Sequence, residues 1–159
     1  MGLSLKKEKM IEYLERAKMQ GESFRCMLWG TVFADLPILK NRSAVSVAML
    51  FTLAPGVSGT LNNAFCYIGL TEKCLYVIAL DAYNTSNIIG TFSVPFTHIT
   101  SINLRKTSLG ASHTVEVEYG GFISLTVKGI SLGTNISDQK ERMKVFLAAI
   151  EDLQKRISG

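Results

Sequence analysis

Thr114-Val-Glu-Val-Glu-Tyr-Gly-Gly-Phe-Ile-Ser-Leu-Thr-Val127 reads as two strands around a turn. Val115, Val117 and Tyr119 alternate with Thr114, Glu116 and Glu118, the period of two that marks an antiparallel strand with one apolar and one polar face. Gly120-Gly121 turns the chain, and Ile123, Leu125 and Val127 then alternate with Phe122, Ser124 and Thr126.

The same grammar extends upstream. Phe65 to Leu70 and Cys74 to Leu80 are apolar runs joined by Thr71-Glu72-Lys73, and Asp81 to Asn87 is a polar turn. Ile88 to Val94 and Ile99 to Leu104 form the next pair, with Pro95 at a corner or an edge. Ser23 to Ala34 places Phe24, Cys26, Leu28 and Val32 on one face and Met27, Trp29, Thr31 and Phe33 on the other. Apolar residues on both faces predict a central or doubly covered strand. The reading gives seven strands, at 23–34, 65–70, 74–80, 88–94, 99–104, 114–119 and 122–127. Short strands with turn signals between them predict an antiparallel sandwich or barrel.

Two helices flank this run. Met143, Phe146, Leu147, Ile150, Leu153 and Ile157 trace one helical face over 137–157, with Ser137 or Asp138 as cap and Asp138-x-x-Glu141 in the form of a capping box. Such a stripe packs against a sheet. Ser4 to Gln20 is a second helix, with Met10, Leu14 and Ala17 inward, Ile11 widening the stripe and Gly21 stopping it. Between them, Ala44 to Ala54 is an uncharged run ending at Pro55-Gly56. It falls short of the ~20 residues that span a bilayer, and its periodicity allows a buried helix or a strand. Gly56 to Asn63 reads as a flexible connector.

Composition narrows the class. The chain has 159 residues, 47% hydrophobic and 19% charged, enough for one domain with a real core and too apolar for disorder. Net charge is +4, with a pI near 9.0. Six basic and four acidic residues lie in 1–25, five and four in 137–159, six and five between. No basic stripe of the kind nucleic acid needs emerges. Cys26, Cys66 and Cys74 are odd in number and unpaired in spacing, which predicts reduced thiols, a cytoplasmic setting and no zinc site. The amino-terminal residues lack the apolar stretch of a signal peptide. Lys6 also stands where a myristoylation signal wants Ser or Thr. The Asn-x-Ser triplets at Asn41, Asn84 and Asn135 then read as coincidence.

Seven strands followed by one amphipathic helix resemble the pleckstrin-homology-like (PH-like) fold, a bent antiparallel sheet with one open end plugged by the terminal helix. The wording also resembles the bacterial members of that superfamily. Gly69-Leu-Thr-Glu-Lys-Cys-Leu-Tyr-Val-Ile78 is similar to their "LT-x-x-R-L" hairpin, and Ser93-Val-Pro-Phe-Thr-His-Ile-Thr-Ser-Ile102 to their "P-x-x-x-I-x-x-I" corner. The resemblance covers 64–157. It departs at Cys74, where an arginine usually precedes the leucine, and at the insertion 35–63 and the arm 4–20. It implies a mainly β, α+β domain over 1–159, with a first strand at 23–34, a main sheet at 64–128 and a capping helix at 137–157. Relatives of this kind are mostly of uncharacterised function and often oligomers.

No catalytic, metal or cofactor residues are expected. His98 and His113 have no ligand-like neighbours in sequence, Glu116 and Glu118 share a solvated strand face, and no phosphate loop or nucleophile motif occurs. The leading expectation is a non-enzymatic interaction module, self-associating through apolar segments that one barrel cannot cover. A second is a peripheral binder of anionic membrane, with Met49, Leu50 and Phe51 at the interface and Lys40, Arg42 and Lys73 as weak anion contacts. A third is a carrier of a small apolar ligand.

Overall fold

The computed structural model describes residues 5–35, 51–53, 60–106, 112–130 and 133–158. Helix α1 (Lys7–Ala17) precedes β1 (Cys26–Asp35), β2 (Phe51–Leu53), β3 (Thr60–Leu70), β4 (Cys74–Leu80) and β5 (Ile88–Pro95). A 3-10 turn (Phe96–His98) leads to β6 (Ser101–Lys106), β7 (Ser112–Glu118), β8 (Phe122–Lys128) and helix α2 (Gln139–Ser158). The strands form one antiparallel sheet in the order β2-β5-β4-β3-β1-β8-β7-β6. All seven predicted strands form. Three residues of the apolar run add an eighth, with Phe51 opposite Phe92 on β5.

The sheet folds back on itself around β1. That strand pairs with β3 from Cys26 to Asp35 but with β8 only from Thr31 to Asp35. Below Thr31 the two halves part, and α2 fills the opening. Val77 and Phe92 from one half, Ile102, Val117 and Leu125 from the other, and Phe146, Ile150 and Leu153 from α2 share one buried cluster. Burying six or more such side chains at about 1.5–3 kcal/mol each is the main stabilising term.

Where β1 leaves β8, the helix replaces the missing strand. Gln139 is fully buried. Its Nε2 donates to the carbonyls of Trp29 and Lys128, both at 2.9 Å, and its Oε1 accepts the Trp29 amide at 3.3 Å. A side-chain amide thus stands in for a strand peptide and satisfies the buried amide and carbonyl of Trp29. One turn on, Arg142 Nη1 donates to the Met27 carbonyl at 3.1 Å while its Nε takes the Asp138 carboxylate at 2.8 Å. Asp138, expected as a helix cap, thus makes an i,i+4 ion pair. The guanidinium holds the Asp138 carboxyl below its ordinary range.

The outer face of the sheet is covered as well. Met10, Tyr13 and Leu14 of α1 pack on Trp29, Tyr67, Tyr76 and Ile78, so β4, lying between two cores, is buried at every position. Tyr13 takes the place expected for Ile11, which stays 36% exposed. Phe24, expected beside Cys26, joins this outer cluster, because it precedes the strand and lies over Gly69. The helix runs over Lys7–Ala17 rather than 4–20. Its first amide, on Lys7, donates to Asn135 Oδ1 at 2.6 Å, and Asn135 Nδ2 donates to the Glu8 carboxylate. Asn135 thereby caps α1 from across the fold, a use its triplet gave no hint of.

The connector reading of 56–63 is corrected in part. Thr60 to Asn63 belong to β3, while 54–59 lie outside the described residues. Val32 pairs with Ala64 but Ala34 with Leu61, so β3 carries an extra residue there, and Asn63 has φ 53°. Asn tolerates the left-handed region that a bulge requires. Asn63→Gly is expected to change stability by less than about 0.5 kcal/mol. Asn63→Val should cost about 1–2 kcal/mol, measured by urea unfolding.

Candidate interaction site

At one end of the barrel, three separate parts of the chain converge on the last turns of α2. The first is the β3–β4 turn. Thr71, fully buried, accepts the amides of Lys73 and Cys74 at its Oγ1 and donates to Glu22 Oε1 at 2.8 Å. This hydroxyl fixes the tight turn and explains the threonine of the hairpin motif. Tyr76 OH also donates to Glu22 Oε1, at 2.9 Å. With the turn pinned, Glu72 and Lys73 point to solvent.

The second part is the lead into β1. The Arg25 amide donates to the Leu70 carbonyl at 2.7 Å, extending the β1–β3 ladder by one residue and leaving the Arg25 side chain exposed. The third is α2 itself, whose Ile150 and Leu153 are buried while Asp152, Lys155 and Arg156 lie on the opposite, exposed face. Arg25, Glu72, Asp152, Lys155 and Arg156 line a cleft of about 430 Å³. A second hollow of about 480 Å³, lined by Leu104, Glu151, Gln154 and Lys155, lies between α2 and β6. Lys155 borders both.

Charge in the cleft is unbalanced. The ion pairs among the described residues are Lys9–Glu12, Arg16–Glu12, Lys18–Glu15, Arg105–Glu116 and Arg142–Asp138. The cleft's three cations, Arg25, Lys155 and Arg156, take part in none of them, and neither do its two carboxylates, Glu72 and Asp152. Lys155 and Arg156, in the last turn of α2, also complement the negative end of the helix dipole.

The neighbouring hollow borders the end of the sheet. Among the described residues no strand lies beyond β6, which pairs only with β7. Ile102 and Leu104 face inward, and Gln154 Nε2 donates to the Ile102 carbonyl at 3.1 Å. Such an edge presents backbone donors and acceptors to whatever approaches.

The buried titratable groups have the chemistry of packing residues. Burial pushes the Cys26 and Cys74 thiols up to about 11 and raises Cys66 further, which suppresses the reactive thiolate. Burial also raises Tyr119, whose hydroxyl has no hydrogen-bond partner among the described residues. Among the described residues no three His, Cys, Asp or Glu side chains are grouped as metal ligands, and no helix is long and apolar enough to cross a membrane.

Of the residues singled out by sequence, Lys73 stands exposed in the β3–β4 turn. Phe51 begins β2, opposite Phe92, whereas Lys73 adjoins Cys74, which pairs with Pro95 three residues further along β5. The structure therefore does not bring these two together. Lys40, Arg42, Met49 and Leu50 lie outside the described residues. Arg25, Leu104, Gln154, Lys155 and Arg156 were not singled out. Their only sequence signal is a basic pair on the polar face of the last helix.

Strand order and closing helix together define a PH-like fold, mainly β, with an additional amino-terminal helix and a short eighth strand at the edge. The Pro95 corner carries the chain between the halves, where Ile99 and Ile102 enter the core. No protein-family model matches the chain, and no curated protein matches it. It is similar in structure to the Vps36 N-terminal PH domain, with 16% identity, 88% of this chain and 84% of that one covered, and a TM-score of 0.44. It is also similar to the hSac2 domain from the human phosphoinositide phosphatase Sac2, with 9% identity, coverage of 94% and 80%, and a TM-score of 0.48.

Proposed function

We propose that the chain is a non-catalytic interaction module that docks another protein chain along β6. The observation that supports this reading is the sheet's end at β6 beside the hollow of Leu104, Glu151, Gln154 and Lys155. An extended segment can add there as a further strand, gaining main-chain hydrogen bonds from the edge and side-chain contacts from the hollow.

Self-association would use the same edge. The surplus apolar segments that first suggested it are partly accounted for within the chain, since α1 covers its own sheet and Phe51–Leu53 pairs with β5. A carrier role draws no support from an interior occupied by Phe92, Phe146, Ile68 and their neighbours. Anionic membrane is the second reading, favoured by Arg25, Lys155 and Arg156 in the cleft and by exposed Lys73 in the β3–β4 turn, none of which makes an ion pair among the described residues. Its test is co-sedimentation with phosphatidylserine vesicles at low salt, and absence of binding removes it.

Hydrogen exchange on the purified chain, with its size followed by light scattering, tests the main reading. In the monomer the outward-facing amides of Ile102, Leu104 and Lys106 are expected to exchange much faster than those of β3 and β4, and to slow when the chain self-associates or a partner strand docks. A monomer in which those amides are as protected as the central strands overturns the reading.

A further inference from the structure

Apart from the edge of β6, the chain carries a second surface, one that fits its own copy. We infer that two molecules pair through the outward face of α2, the helices running antiparallel about a two-fold axis at Ala148. Buried Met143, Phe146, Ile150 and Leu153 turn one side of α2 to the core, which leaves the opposite side to solvent. Along that side Glu141, Ala148 and Lys155 recur every seven residues, all exposed, and form its centre line. Lys144 and Glu151 flank the line on one side, Val145 and Asp152 on the other, and these too are exposed.

The order of the charges carries the inference. Glu141, Lys144, Glu151, Asp152 and Lys155 belong to no ion pair among the described residues. Opposite charges stand at matching distances from Ala148. Glu141 lies seven residues before it and Lys155 seven after, while Lys144 lies four before and Glu151 three after. An antiparallel copy therefore sets Glu141 against the partner's Lys155 and Lys144 against the partner's Glu151, and the two-fold repeats both pairs. A parallel copy in register would set each charge against its own counterpart. At the axis the small Ala148 lets the helices approach closely, and Val145, 50% exposed in the single chain, gains cover beside it. One face of a 20-residue helix offers less than the ~800 Å² per partner of a stable interface. The dimer is therefore weak, forms with rising concentration and loosens with salt.

Sedimentation velocity over about 5–500 μM at low salt reads the monomer–dimer equilibrium. The mass is expected to rise toward that of a dimer. Glu141→Lys and Lys155→Glu should each weaken dimerisation by about tenfold or more. Combined in one chain, or mixed as two single variants, they should restore it, because each changed charge again meets its opposite. Positions 141 and 155 lie about 21 Å apart along the helix, too far to pair within one molecule, so restoration reports a contact between copies. Unchanged thermal unfolding of these variants shows that the loss is not one of folding. A monomer at every concentration overturns the inference. So does a dimer indifferent to either single variant, or one that the double variant fails to restore. A dimer that keeps its strength in the single variants and slows exchange at Ile102, Leu104 and Lys106 overturns it too, and leaves the β6 reading standing. Charge-sensitive dimerisation with those amides still fast supports it.

Discussion

Gln139→Leu is expected to lower the unfolding free energy by about 3–5 kcal/mol, because it removes three hydrogen bonds, two of them to the buried amide and carbonyl of Trp29. Leucine fills similar space, so the cost is almost entirely that of stranded backbone, chiefly the Trp29 amide and carbonyl. For a domain of this size the midpoint of thermal unfolding falls by about 10 °C. Urea unfolding measures it, and a loss under about 1 kcal/mol would mean that those groups find other partners.

Gln139→Glu sharpens the test through its pH dependence. The new carboxyl faces two carbonyls, so its folded-state pKa lies above its unfolded value. The folded chain then holds the proton more tightly, and stability must fall as pH rises between those two values. The deficit relative to Gln139→Leu is smallest below about pH 4.3, grows with rising pH, and levels off above the folded-state pKa. A deficit that grows on acidification would refute the assigned geometry.

The second large effect is Gly30→Ala. A Cβ at Gly30 would sit 2.6 Å from the Thr126 carbonyl oxygen, and 3.1 and 3.2 Å from Ile68 Cδ1 and Val127 Cγ1. The first of these is backbone of β8, beside the Thr31–Thr126 pair, and cannot move without opening the β1–β8 ladder at the point where the sheet divides. The expected cost is about 3 kcal/mol. Gly69→Ala serves as comparison. Its methyl would meet the Phe24 ring and a Leu14 methyl, side chains that can shift, so its cost should be smaller. Comparable losses at the two positions would argue against the close approach of β1 and β8.

Much of the framework was legible because its signals are local. Alternation at Thr114 to Val127, the Thr71 turn and the Met143 to Leu153 stripe each need only a few neighbouring residues to be read, and each appears in the structure with the expected face buried. Element ends were less legible. Phe24, Ile11 and Thr60 to Asn63 are assigned by what packs or pairs with them: an aromatic ring over Gly69, Tyr13 competing for one site, a bulge opposite Val32 and Ala34. The reach of Arg142 to both Asp138 and the edge of β1 was illegible for the same reason.

The candidate site was not legible at all. Arg25 and Lys155 are separated by most of the chain, and the adjacency of Lys155 to Arg156 is the one local signal. The order of apolar and polar residues by itself determined that this chain makes a meander of antiparallel strands and a terminal amphipathic helix, because burial periodicity is a property of each segment alone. Only tertiary structure decided where the sheet parts, that Gln139 would bridge the gap, and which charges would meet at the end of α2. Those outcomes depend on which surfaces come within hydrogen-bond or Coulomb range once the sheet has closed.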